Sequence, residues 1–123
     1  MPAIAIIGAS TDRSKFGNKA VRAYSQRGWT VYPVNPGAPT IEGLKAYRSI
    51  LDVPRPIDRV SVYLPPSVGI SILDDIATVG STELFLNPGS ESDALIERAE
   101  QLGLNIVVAC SIVDIGISPA HLG

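Results

Sequence analysis

The densest set of groups able to hold an anion lies near the start of the chain, in Gly8-Ala9-Ser10-Thr11-Asp12-Arg13-Ser14-Lys15-Phe16-Gly17. Two glycines bound it. Ser10, Thr11 and Ser14 offer hydroxyl donors, and Arg13 and Lys15 add charge. An apolar run, Ala3 to Ile7, precedes it and a segment of helical period follows, so it reads as a strand-to-helix loop. At such a junction, backbone N–H groups and the positive end of the helix converge on an anion. An ordinary exposed turn would also be polar; the bases clustered beside it favour phosphate binding.

The spacing narrows the phosphate. A dinucleotide fingerprint needs G-x-G-x-x-G, but after Gly8 the next glycine is Gly17. An NAD site also wants an acid at the end of the second strand, to grip the ribose hydroxyls. That place holds Val34-Asn35-Pro36, which leaves room for an adenosine phosphorylated on its 3′ oxygen. The Walker A pattern G-x-x-x-x-G-K-[ST] is absent too. The loop therefore suits a nucleotide pyrophosphate that is neither typical NAD nor ATP.

Other reactive types are sparse. One cysteine, Cys110, and one histidine, His121, leave too few ligands for zinc and exclude a disulfide framework. Cys110 follows the last apolar strand with no base beside it in sequence, and reads as a buried, unreactive thiol. His121 reads as solvated. Asp74-Asp75 could suggest a metal, but adjacent helical residues point about 100° apart, so both read as surface charges. Trp29 and Tyr32 read as packing residues, while the direction of Tyr63 depends on strand phase.

The elements that must position the loop alternate strictly. Strands are expected at Ala3–Ile7, Trp29–Val34, Arg59–Leu64, Glu83–Leu86 and Asn105–Ala109. Helices are expected at Gly17–Arg27, Ser67–Val79 (with Val68, Ile72, Leu73 and Ile76 inward) and Asp93–Leu102, capped by Ser92. Residues 37 to 56 read as irregular with a turn near Ser49 to Asp52, and the tail from Cys110 has no assigned form. Nearly continuous apolar strands separated by helices imply a parallel sheet covered on both faces. The expectation is a Rossmann-like, doubly wound α/β sheet of five strands in the order 3-2-1-4-5, one domain spanning residues 1–123. The carboxyl ends of the strands then bring Gly8 to Gly17, Asn35-Pro36, Leu64-Pro65-Pro66 and Asn87-Pro88 around one crevice.

With 123 residues, 46% hydrophobic and 18% charged, the chain is neither disordered nor a coiled coil. No apolar run is long enough to span a membrane, and no signal peptide is visible, so a cytoplasmic location is expected. A net charge of −2 argues against a nucleic-acid partner. The charge is uneven: residues 1–59 carry nine bases and four acids, residues 60–123 one base and eight acids. Arg13, Lys15, Lys19, Arg22 and Arg27 concentrate a positive field around the first helix, which suits a phosphorylated small molecule.

Several stretches together resemble the small stand-alone CoA-binding proteins, which are similar to the amino-terminal domain of the succinyl-CoA synthetase alpha subunit. They are Ile6-Ile7-Gly8-Ala9-Ser10, Lys15-Phe16-Gly17-Asn18, Val31-Tyr32-Pro33-Val34-Asn35-Pro36, Ile41 to Ser49, Val62-Tyr63-Leu64-Pro65-Pro66 and Leu84 to Ser90, then Cys110. The resemblance runs from about Ile4 to Val113. It implies that Gly8, Ala9, Ser10, Thr11, Arg13, Lys15, Phe16 and Gly17 hold the phosphates of coenzyme A or an acyl-CoA. It further implies that Val34, Asn35 and Pro36 line the adenine side, and that Leu64, Pro65 and Pro66 bracket the pantetheine with Asn87 and Pro88 below it. The chain departs from its relatives at Gly37, where a basic or bulky polar residue is common, at Asn87, where Gln is usual, and in Ala109-Cys110-Ser111-Ile112.

Two readings follow. One is a module that binds CoA through the first loop and the strand ends without catalysis of its own, alone, as a homo-oligomer or beside a partner enzyme. The other is a small NAD(P)-dependent oxidoreductase or the nucleotide-binding subunit of a CoA ligase. Against catalysis, no general base adjoins a nucleophile in sequence, and the synthetase carries its active histidine in a second domain.

Overall fold

A computed structural model describes residues 2–123. Five parallel strands form the sheet: β1 (Ala3–Ile7), β2 (Thr30–Val34), β5 (Ile57–Val62), β6 (Ser81–Leu86) and β7 (Ile106–Val108). Between β2 and β5 lies a small hairpin, β3 (Thr40–Ile41) with β4 (Leu44–Lys45), then a 3-10 turn at Ile50–Asp52. The helices are α1 (Phe16–Gln26), α2 (Pro66–Gly69), α3 (Leu73–Val79), α4 (Asp93–Gln101) and α5 (Ser111–Asp114).

The doubly wound α/β architecture agrees with the sequence reading, but the strand order does not. The order is β2-β1-β5-β6-β7, so the second strand is an edge and the third large strand lies beside β1. The expected order 3-2-1-4-5 would carry residues 35–56 outward past β2. The cause is the link between crossover hand and face. A right-handed crossover moving one way along a sheet covers one face, and moving the other way covers the opposite face. α1 leads from β1 out to β2 and buries Ala20, Val21, Ala23 and Tyr24 against Ile4, Ile6 and Val31. The next connection buries Ile50 and Val53 on the other face, with Ala5, Ile7, Val60, Val62 and Val34. It must therefore return across β1. α3 and α4 continue in that direction and add Leu73, Ile76, Leu95 and Ala99 to the second face.

The helix expected over Ser67–Val79 is broken into α2, a 3-10 turn at Ile70–Ile72, and α3. Its phase shifts accordingly. Val68, expected inward, is about half exposed, and Gly69 takes the inward place against Leu95.

The tail acquires a form. α5 and a 3-10 turn at Pro119–Leu122 fold back on α1, burying Ile112 and Leu122. Arg22 donates to the Leu122 carbonyl at 2.6 Å, and Arg27 donates to the carbonyls of Ile115 and Gly116 at 3.0 and 3.2 Å. Under this tail the outer positions of β5 are polar. Arg59 is buried between the Trp29 and Phe85 rings and pairs with Glu83 and Asp114, each at 2.8 Å. Burial pulls the Arg59 pKa down, but bonds to Tyr24, Glu83 and Asp114 outweigh it and raise it.

Candidate functional site

β1 is followed by Gly8 with φ +86°, a conformation that favours glycine, and a side chain there would come within 2.5 Å of the Tyr63 carbonyl oxygen. The chain then loops back so that Gly17, in the first turn of α1, lies on Gly8. A Cβ on Gly17 would collide with the Gly8 carbonyl oxygen. The two glycines that bound the loop in sequence are thus in contact, and the start of α1 sits at the carboxyl end of β1. No acidic or capping side chain occupies that first turn, so its leading amides keep their capacity for an anion.

The loop is braced from inside. Asn35 donates to the Ala9 carbonyl at 2.8 Å and accepts from the amides of Gly37 and Ala38. Asn18 donates to the Ser10 carbonyl at 2.9 Å. Asp12 accepts from the amide and hydroxyl of Ser14, which hold its carboxyl below the ordinary range.

Two adjoining clefts meet at this loop. One, of about 490 Å³, is lined by Ile7, Gly8, Ala9, Ser10, Lys15, Val34, Asn35, Pro36, Ile50, Leu64 and Ile72 among others. The other, of about 360 Å³, is lined by Phe16, Gly17, Pro65, Pro66, Pro88 and Ser90, and shares Gly8, Ser10, Lys15, Tyr63 and Leu64 with the first. The result is a bent groove with a phosphate-suited elbow, one largely apolar arm towards β2 and a second arm between α2 and the end of β6. Lys15 stands at the elbow and lines both arms.

Most expected site residues therefore come together, and three do not. Arg13 lines neither arm; it pairs with Glu42 at the tip of the β3–β4 hairpin, at 3.5 Å. Thr11 is exposed outside both arms. Asn87 is 1% exposed, and its polar atoms are engaged inside the fold. Its amide donates to Ser61 Oγ and the Val62 carbonyl, and its Oδ1 accepts from the Ser111 amide, each at 2.8 Å. Asn87 is a strut between β5, β6 and α5. The basic cluster on α1 is likewise spent, with Arg22 and Arg27 on the tail and Lys19 over the Phe16 ring.

Five lining residues in particular escaped the sequence reading. Val68, Ile72 and Asp75 recur at helical spacing and all line the first arm, a signal that was available and assigned to core and surface instead. Asp75 brings a carboxylate to a largely apolar arm. Arg48 lies far from any motif. Tyr63 lines both arms, while its hydroxyl bonds Ser111 Oγ at 3.1 Å and burial pushes its pKa up to about 12. Cys110 lines neither arm, and His121 is exposed on the far segment.

The chain is similar to several known proteins. A family model described as a CoA binding domain matches residues 2–116. The alpha subunit of an ADP-forming acetate–CoA ligase II from Pyrococcus furiosus is 30% identical over 115 residues, covering 85% of this chain and 25% of that protein. A conserved hypothetical protein from Pyrococcus furiosus, of known structure, superposes with a TM-score of 0.84 at 31% identity, covering 93% of this chain and 99% of that one. A dinucleotide-forming acetyl-coenzyme A synthetase from Candidatus Korarchaeum cryptofilum, solved with phosphate and ADP, superposes at 0.76 with 31% identity, covering 87% of this chain and 25% of that one. The chain thus spans a quarter of the ligase subunit it matches.

Proposed function

Since the chain belongs to the CoA binding domain family, we propose that the bent groove holds one extended CoA or acyl-CoA molecule. The pyrophosphate sits at the elbow, on the Gly8–Ser10 backbone, the first amides of α1 and Lys15. The adenosine lies along the arm formed by Ile7, Val34, Ile50 and Ile72, where Asp75 offers an acceptor for its exocyclic amine. The pantetheine leaves along Leu64, Pro65, Pro66 and Pro88. The observation that carries this reading is the pair of arms sharing one loop: a ligand with groups on both sides of a pyrophosphate needs that shape.

The module presents the coenzyme without reacting it. Neither Cys110 nor His121 lines either arm, so no thiol or imidazole among the described residues faces the groove. Chemistry on the thioester then belongs to a partner enzyme, in keeping with the ligases of which related domains form a part.

Thermal shift at equal ligand concentration tests the reading. Stabilisation grows as RT ln(1 + [L]/Kd), about 2.7 kcal/mol at a hundredfold excess over Kd. CoA raises the unfolding midpoint and NAD leaves it in place; a larger shift with NAD or NADP would restore the oxidoreductase.

A further inference from the structure

We propose that Arg48 reads the phosphate on the adenosine ribose, and so makes this chain prefer CoA to its 3′-dephosphorylated form. The inference rests on CoA occupying the groove. In a doubly wound sheet the ribose hydroxyls of a bound nucleotide lie at the carboxyl end of the second strand. Here that end is Val34-Asn35-Pro36-Gly37, which carries no charge, and Asn35 spends its side chain on the Ala9, Gly37 and Ala38 backbone. The bases in and around α1 have other neighbours: Arg13 pairs with Glu42, Lys19 lies over the Phe16 ring, and Arg22 and Arg27 bond backbone carbonyls.

Arg48 remains. With Pro36 it forms the boundary between the adenosine arm and a second depression on the far side of that strand end, and it lines both. Its guanidinium is exposed and has no ion pair or hydrogen bond among the described residues. Its place on the chain, by contrast, is fixed. The Tyr47 amide donates to the Pro33 carbonyl and the Asn35 amide donates to the Tyr47 carbonyl, both at 2.8 Å, while Ser49 caps the following 3-10 turn. A planar, always-charged fork on an anchored stem suits bidentate binding of phosphate. The depression adds Lys45, whose ammonium lies 5.0 Å from the centre of the Tyr47 ring, against one acid, Asp52.

Calorimetry with CoA and dephospho-CoA, on the wild type, Arg48→Gln and Arg48→Lys, tests the assignment. The wild type should bind CoA about tenfold more tightly than dephospho-CoA. Arg48→Gln should lose about that factor for CoA alone, with dephospho-CoA affinity held within twofold and an unchanged melting midpoint, and Arg48→Lys should recover part of the loss. If the wild type binds both ligands but Arg48→Gln weakens both equally, or neither, the Arg48 assignment fails while CoA binding stands. If the wild type binds neither ligand, the CoA reading fails and the inference falls with it.

Discussion

Lys15 and Arg13 are two residues apart in the same loop, and the fold sends them to different neighbours. Lys15 stands at the elbow of the groove and lines both arms, whereas Arg13 turns outward to Glu42. Lys15→Ala should therefore weaken CoA binding by about 1–2 kcal/mol, as expected for a charge-assisted phosphate contact, with the loss shrinking at high salt. Arg13→Ala should change the affinity less than twofold. Calorimetry at low salt checks both, and the reverse ranking would move the anion to the outer side of the loop. That the loop would border the groove was legible in its glycines, hydroxyls and bases. Which base would face the ligand was not, because Glu42 reaches Arg13 from 29 positions further along the sequence. Arg48 was hidden for the same reason: its proximity to Pro36 is set by a backbone bridge between Val34 and Tyr47.

Among elements, strands and long helices announced themselves by period, and β1 falls where the pattern put it. The β3–β4 hairpin did not, since two-residue strands show no alternation; only the Glu42-Gly43 turn, with φ values of 50° and 77°, marks it. The break after α2 was equally quiet. Asn87 shows how an element contact can imitate a ligand contact. It ends β6 at the rim where site residues collect, yet it ties β5 and α5 together. Asn87→Ala would strand the Ser111 amide in a buried place and leave the Val62 carbonyl only a long 3.5 Å bond from the residue 87 backbone amide, at a cost of about 3 kcal/mol. The control Asn105→Ala, which loses one exposed bond to the Thr82 carbonyl, should cost within about 0.5 kcal/mol. Urea unfolding measures both, and a small loss at Asn87 with weakened CoA binding would return it to the ligand.

At the scale of the whole molecule, fold class was legible and strand order was not. Alternation fixes a parallel sheet, but the side of β1 on which the third large strand pairs depends on which face Ile50 and Val53 bury, a choice without local signature. Stability should also show one global pH response. Burial raises the pKa of both Tyr24 and Tyr63, the latter to about 12, above the ordinary 10.0. The unfolded chain then releases these protons first, so their contribution is complete below pH 10.0 and is lost as pH climbs towards about 12. Melting midpoints across that window should fall, and less steeply for Tyr63→Phe; a flat profile would mean the phenols are not buried in solution. The strap of residues 111–122 over β5 has a consequence for how the protein is made. A ribosome delivers the strap after every strand. Until it arrives, Arg59 lacks Asp114, Asn87 lacks the Ser111 amide, and Tyr24 lacks the Ser111 carbonyl. The apolar second face draws none of its residues from that strap, whereas the polar seam on the first face cannot close without it, so synthesis delivers the partners of the seam last.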